Sequence, residues 1–428
     1  MGDCEGDRIS NLPSDITDNI LKRLSMRDAV RTSILSRPWR YKWVTIPHLV
    51  FDEVFHSKVA GSFRTASLIY QILLLHKGPI LKFSLQIYDP AIQSRDIDDY
   101  LYFLSSHRIE ELTLYFLPDN PISDYLFSFD HLRHLYLVGG VVKLPSTFKR
   151  FDRLVRFQLE DVDFAPVELK IFISKCPMLE YLTIKYNGVK ICGDLESIDA
   201  PNLKSFCFSA GLWAPIISFE NASLLDEVSL TALPMPNYFN NDQFLSMAVR
   251  DDYKNDLFKF FHPLCSITRV VFSCCFLDFL GKRGVPQKLP HDLYRLRILK
   301  LLLSFSSISE VSSAACLIRS SPNLQTLEIH FITIHLIEPH IWSITQFLKT
   351  QSESEFRLSR LECVRIKGIS GSEPEMEFLK LLLSAATALR VLEIRSRFKY
   401  AGRQEESHIM NELLSFHRAS PQVEIVFR

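Results

Sequence analysis

The sequence predicts an α/β protein: a small three-helix module at the N-terminus, a curved solenoid of parallel strands and crossover helices, and a cap at the C-terminus. Three observations predict it. An apolar triplet with strand spacing returns about a dozen times after residue 56. Prolines stand two residues ahead of the first strand leucine in several copies. The first fifty residues instead place their apolar side chains three and four apart, the period of a helix.

The N-terminal module begins at Asn11-Leu12-Pro13-Ser14-Asp15-Ile16. A proline at the first helical position costs no hydrogen bond, and Ile16, Ile20, Leu21 and Leu24 follow at helical spacing. Ser25-Met26-Arg27-Asp28 has the S-x-x-D form of a capping box, and Ala29, Val30, Ile34 and Leu35 give a second helix its apolar stripe. Pro38 ends that helix or opens a third turn, and Trp39 and Trp43 share one face of a last short helix. Some forty residues are too few to close a core around two tryptophans, so part of this surface is expected to meet a partner or the remaining chain.

Past residue 56 the triplets run Ile80/Phe83/Leu85, Ile109/Leu112/Leu114, Leu132/Leu135/Leu137, Leu154/Phe157/Leu159, Leu179/Leu182/Ile184, Leu203/Phe206/Phe208 and Leu225/Val228/Leu230. They continue with Ile267/Val270/Phe272, Leu296/Leu299/Leu301, Leu324/Leu327/Ile329, Leu361/Val364/Ile366 and Leu389/Leu392/Ile394. This is the pattern of leucine-rich repeats, each a strand followed by a return that cannot bury its apolar face alone. Pro177, Pro201 and Pro322 precede strands, each able to break a helix before the strand starts. Helices are expected around Leu169, Phe172 and Ile173, and around Val311, Ala314, Ala315 and Ile318. The stretch from Pro234 to Asp256, rich in Pro, Asn and Asp, reads as an exposed insertion.

Composition narrows the function. Lys plus Arg and Asp plus Glu are 49 each, so the long-range field that draws proteins to nucleic acid or anionic membrane is missing. Nine cysteines without a C-x-x-C pair suggest neither a disulfide framework nor a zinc ribbon. The opening MGDCEGDR lacks the form of an export signal, and no apolar run approaches the ~20 residues of a membrane helix, so the expectation is an intracellular protein of nucleus and/or cytoplasm. Without secretion, the Asn221-Ala222-Ser223 sequon has no meaning.

The motifs of acyl-transfer, nucleotide-binding and zinc-protease chemistry are missing from the sequence, and no catalytic residue, metal site or cofactor is implied. His330, His335 and His340 have a spacing that shares no helix or strand face. Cys274-Cys275 reads as strand packing, and Asp96, Asp98 and Asp99 as a solvated loop. Arg395, Arg397, Lys399 and Arg403 around Phe398 and Tyr400 read as a polar loop rather than an RNA site.

Leu12-Pro13, Asp15-Ile16, Ile20-Leu21, Asp28-Ala29-Val30-Arg31, Leu35-Ser36, Trp39-Arg40 and Trp43 together resemble the F-box pattern in order and spacing. Ser25 stands where that family often has proline, and Pro38 where it usually has a basic residue. The resemblance implies docking on the Skp-type adaptor of an SCF ubiquitin ligase, and through it a cullin. It implies that Leu12, Pro13, Ile16, Ile20, Leu24, Val30, Leu35, Ser36 and Trp39 face the adaptor or support the face that does.

Residues 361–368, 375–385, 389–394 and 413–427 resemble the FBD module that closes many plant F-box proteins with leucine-rich repeats. The implied organisation is an F-box over 8–56, an irregular leucine-rich-repeat solenoid over 57–355 and an FBD-like cap over 356–428. The implied function is a non-catalytic receptor that presents a target protein for ubiquitination. The alternatives are an adaptor-bound scaffold, a repeat protein with no role in degradation, and an enzyme with an unrecognised site in the solenoid.

Overall fold

The computed structural model describes residues 12–57, 62–86, 92–187, 197–210, 217–232, 265–282, 284, 286–289, 291–332, 338–351, 356, 358–396 and 403–428. The chain divides into two compact units, Met1–Thr183 and Ile184–Arg428.

The first unit opens with helix Ser14–Leu21, preceded by Pro13 at its cap, and helix Met26–Arg31. Ser25 caps the second helix by accepting from the Asp28 N–H at 3.2 Å, and its hydroxyl donates to the Asp28 carboxylate at 2.7 Å. The expected third helix is instead a run of 3-10 turns, Thr32–Ile34, Arg37–Trp39 and Lys42–Thr45. Pro38 supplies no N–H, so an α-helix cannot run through it, and the tighter turns bring Trp39 and Trp43 inward.

Strands β1 (His48–Phe51), β2 (Lys82–Leu85), β3 (Glu111–Tyr115) and β4 (His134–Val138) pair in parallel. A two-residue strand β5 (Val141–Val142) follows, and β6 (Arg156–Glu160) pairs with β4. The short β7 (Asp163–Phe164) pairs with β5, and β8 (Tyr181–Lys185) stands where the two units divide. One backbone carbonyl per repeat accepts two successive N–H groups of the next: Pro47 from Leu81 and Lys82, Leu81 from Glu110 and Glu111, Glu110 from Arg133 and His134. Beneath the sheet Phe172, on helix Pro166–Ser174, meets Phe157 at 4.7 Å and Phe148 at 5.5 Å.

β1 is a further copy of the repeat, ahead of the twelve triplets expected from the sequence. Ile46, Leu49 and Phe51 have the triplet spacing and are buried, and β1 pairs residue for residue with β2. The N-terminal module is thereby joined to the first repeat. Burial holds the His76 imidazole below its ordinary range, so it stays neutral and its Nε2–H donates to the Ile46 carbonyl at 2.8 Å. A side chain at Gly78 would come within 2.9 Å of the Thr45 backbone, which only glycine tolerates.

The second unit begins with β9 (Ser197–Asp199), β10 (Ser205–Ala210) and β11 (Ser218–Glu220), of which β9 and β11 form a side pair. The main sheet then adds β12 (Glu227–Ala232), β13 (Arg269–Phe272), β14 (Ile298–Leu303), β15 (Thr326–Phe331), β16 (Cys363–Ile369), β17 (Val391–Ser396) and β18 (Glu424–Phe427), all parallel. Helices Cys274–Lys282, Ile308–Arg319, Glu338–Lys349, Glu373–Ala385 and Arg403–Ser415 return the chain between strands from β13 onward.

All twelve triplets foreseen are at most 2% exposed. The helices expected around Leu169 and Val311 are Pro166–Ser174 and Ile308–Arg319. Three local expectations fail. Cys274 and Cys275 open a helix instead of lying in a strand, because β13 ends at Phe272 and the buried Ser273 hydroxyl instead accepts from the Ala232 N–H at 2.7 Å. Asp96, Asp98 and Asp99 lie on helix Ser94–Leu104, where Asp96 closes a capping box with Gln93. Pro201 follows the short strand β9, not a helix. The insertion at 234–256 lies outside the described residues.

Two carboxylates close strand-to-helix turns. Glu310, fully buried, accepts from the N–H groups of Ser304, Phe305 and Ser306 at 2.6, 3.3 and 3.0 Å, and from both serine hydroxyls. Glu375 does the same for Ser370, Gly371 and Ser372 at 2.9, 2.8 and 3.2 Å.

Candidate functional site

Each side chain of the N-terminal module has one of two surroundings. Trp39 is 1% exposed with the Lys42 ammonium 5.5 Å from its ring, and Trp43, Leu21, Met26 and Ala29 are buried as well. Lys42 Nζ also donates to the Thr17 hydroxyl at 3.0 Å, which in turn donates to the Pro13 carbonyl at 3.1 Å. The module therefore closes its own small core with help from β1.

Its other surface is apolar and open. Ile34 is 81% exposed, Tyr41 67%, Leu35 57% and Ile16 47%, with Ile20 and Leu24 exposed as well. Pro13 is exposed, and Leu12, Val30 and Ser36 are half-buried. Of the nine residues named from the sequence, the structure leaves eight wholly or partly accessible and takes Trp39 into the interior. Ile34 and Tyr41, not among those nine, are the two most accessible apolar side chains of the module.

The second surface is the strand face on which the triplets' intervening residues lie. In the first unit Glu111 sits between Lys82 at 2.9 Å and His134 at 3.4 Å. Partial burial alone would raise its carboxyl, but the Lys82 hydrogen bond and charge, with His134 and His48, outweigh it and hold the group below the ordinary carboxylate range. Tyr136 donates to Glu160 at 2.7 Å and meets Tyr115 edge to face at 6.1 Å. Desolvation, then the Glu160 carboxylate, push its phenol far above the usual value. Arg156 stacks over the Tyr181 ring at 4.7 Å.

In the second unit Arg365 bonds Glu328 at 3.0 Å and approaches Glu393 at 3.7 Å, while Arg395 and Arg428 meet Glu393 at 3.0 and 3.3 Å. Arg395 alone of the C-terminal basic-aromatic cluster lies on a described strand face, and residues 397–402 lie outside the described residues. His330 is an exposed residue of β15, His335 lies outside the described residues, and nothing is described of the His340 side chain. Among the described residues no group of His, Cys, Asp or Glu could hold a metal ion, and no helix is long and apolar enough to cross a membrane.

An exposed apolar module joined to an array of parallel repeats defines a class: a repeat protein built for protein–protein interaction. Comparison with known proteins specifies it. The F-box domain model matches residues 9–49, and the model for the leucine-rich repeats of the FBD-associated F-box protein At5g56370 matches residues 97–251. Neither describes a catalytic family. The F-box/FBD/LRR-repeat protein At1g13570 of Arabidopsis thaliana is 31% identical over 98% of each chain. From the same plant, the FBD-associated F-box protein At5g38590 is 26% identical over 90% of this chain and 92% of its own, and the F-box/FBD/LRR-repeat protein At1g51370 24% identical over 97% and 94%. The chain belongs to the F-box/FBD/LRR-repeat family, whose N-terminal domain is the type that joins SCF complexes.

Proposed function

We propose that this protein is the substrate-receptor subunit of an SCF-type ubiquitin ligase. The N-terminal module, within residues 8–56, docks on the Skp-type adaptor through Leu12, Pro13, Ile16, Ile20, Leu24, Val30, Leu35 and Ser36, with Trp39 supporting that face from inside. The repeats, over 57–355, hold a target protein on their strand face, and residues 356–428 cap them.

One observation carries the reading. Six large apolar side chains between Ile16 and Tyr41 stay exposed although the module has a filled core of its own, and a patch of that kind is characteristic of an interface. The protein then works by proximity: holding a target beside a ubiquitin-charged enzyme raises the effective concentration of its lysines without any bond chemistry by the receptor.

The test is capture of purified Skp-type adaptor by the full chain and by an Ile34→Asp, Leu35→Asp variant with unchanged unfolding temperature. Capture by the first and not the second supports the reading. Equal capture, or none by the full chain, overturns it. Stable target levels on overproduction of an adaptor-binding protein would instead favour the scaffold.

A further inference from the structure

We infer that the strand face of β14–β16 is a binding site for an acidic, extended polypeptide segment, gripped by Lys300, His330 and Lys367.

The register places these three side chains together. His330 on β15 lies directly opposite Lys367 on β16, and Lys300 on β14 lies opposite Glu328, two residues before His330 on the same face. His330 and Lys367 are exposed and Lys300 is half-exposed. Lys300 and Lys367 flank the same imidazole, whose basicity is reduced first by its partial burial and then by these two charges.

Two rows cross these strands, Lys300, Glu328, Arg365 and Glu393 in one and His330, Lys367 and Arg395 in the next. Glu328, Arg365, Glu393 and Arg395 bond one another across them, as a ladder that serves the fold does. Both acids are thereby taken by arginine. Lys300 and Lys367 have no acidic partner among the described residues. Lys367 also lies opposite Arg395 on β17, and like charges on neighbouring strands oppose folding, a cost that a ligand of opposite charge would reduce.

The size and setting of the cluster select the ligand. Lys300 and Lys367 are two strand spacings apart and offset by two residues along the strands, ~12 Å in all, which suits two or three carboxylates rather than a long polyanion. The chain as a whole has zero formal charge, so the long-range field that draws a nucleic-acid backbone is missing. An extended peptide turns every second side chain the same way at ~6.8 Å intervals, so acids at positions i and i+2 can reach Lys300 and Lys367 together. The inference rests on the receptor reading in one respect: it names the chemistry that a target would present.

The test uses the full chain and a fluorescein-labelled peptide alternating glutamate and alanine, read by anisotropy, with a glutamine-alanine peptide for comparison. The glutamate peptide is expected to bind, and to lose ~tenfold in affinity in a Lys300→Gln, Lys367→Gln variant. Lys367→Arg should keep binding, and the Lys143→Gln, Lys149→Gln variant, altered in the other unit, should match the unaltered protein. No binding, equal loss in both double variants, or tighter binding of an oligothymidine through the same lysines would overturn the site. Adaptor capture run on the same samples separates the two readings. Lost peptide binding with retained capture leaves the receptor standing without this site, whereas peptide binding without capture leaves the site and removes the receptor.

Discussion

Leu35 and Trp39, four positions apart, are expected to fail in opposite ways when altered. Leu35 is more than half exposed, so Leu35→Asp should abolish adaptor capture while leaving the unfolding temperature unchanged. Trp39 is interior, and Trp39→Ala opens a cavity in a very small core, a loss of ~3–5 kcal/mol for a buried tryptophan. Its signature is increased amide exchange over residues 14–46 in the free protein, before any partner is added. A Trp39→Ala protein that folds normally and only binds worse would mean that the ring is an interface anchor. Glu111 gives a pH-dependent counterpart. Its carboxyl is lowered in the folded protein, so the stability it contributes is present above the unfolded carboxylate pKa and is lost as pH falls through the folded one. Glu111→Gln should therefore lower the unfolding temperature slightly at neutral pH, where a half-exposed pair is weak, and the difference should close as the pH falls below about 4.5. Identical acid limbs in the two proteins would remove Glu111 from the account.

At the scale of elements, the turns that follow β14 and β16 depend on one carboxylate each. Glu310→Ala leaves three backbone N–H groups without their acceptor in a buried turn, a penalty of ~3 kcal/mol or more, and Glu375→Ala does likewise at the half-buried turn after β16. Glu310→Gln keeps one acceptor oxygen and should lose less, and chemical denaturation of the three variants gives the order. Ser307 and Ser372 each stand three residues before these glutamates, the S-x-x-E spacing of a capping box, but the sequence does not show that each carboxylate also gathers the preceding turn. The strands were legible, since a triplet such as Leu324/Leu327/Ile329 must be apolar whatever surrounds it. β1 was missed where the docking module and first repeat share the stretch 46–51. The third helix was misread because Trp39 and Trp43 keep helical spacing while Pro38 removes the hydrogen bond an α-helix needs there. The open face of the module was legible in part. Helical periodicity marks which side chains are apolar, Ile16 and Leu35 among them, but not which of two apolar faces is covered, and so it does not separate the interior Trp39 from the open Ile34 and Tyr41.

For the molecule as a whole, a receptor of this kind is a bridge, and a bridge needs two binding events that do not interfere. In an array each repeat touches only its neighbours, so free energy supplied at one end is not passed along unless a two-state element lies between. The adaptor face lies before β1 and the Lys300–His330–Lys367 cluster lies on β14–β16, with nine strands of the main sheet, from β1 to β13, between them in its order. Adaptor binding at a hundred times its dissociation constant would stabilise the module by ~2.7 kcal/mol, and that should appear as slowed amide exchange over residues 14–46. Exchange over 298–369 should stay as it was. The affinity of the glutamate-alanine peptide should also be the same with and without adaptor, and by linkage the adaptor's affinity should ignore the peptide. A change of threefold or more in either affinity, ~0.65 kcal/mol of coupling, would show that the two sites communicate and that target capture is gated by assembly of the ligase.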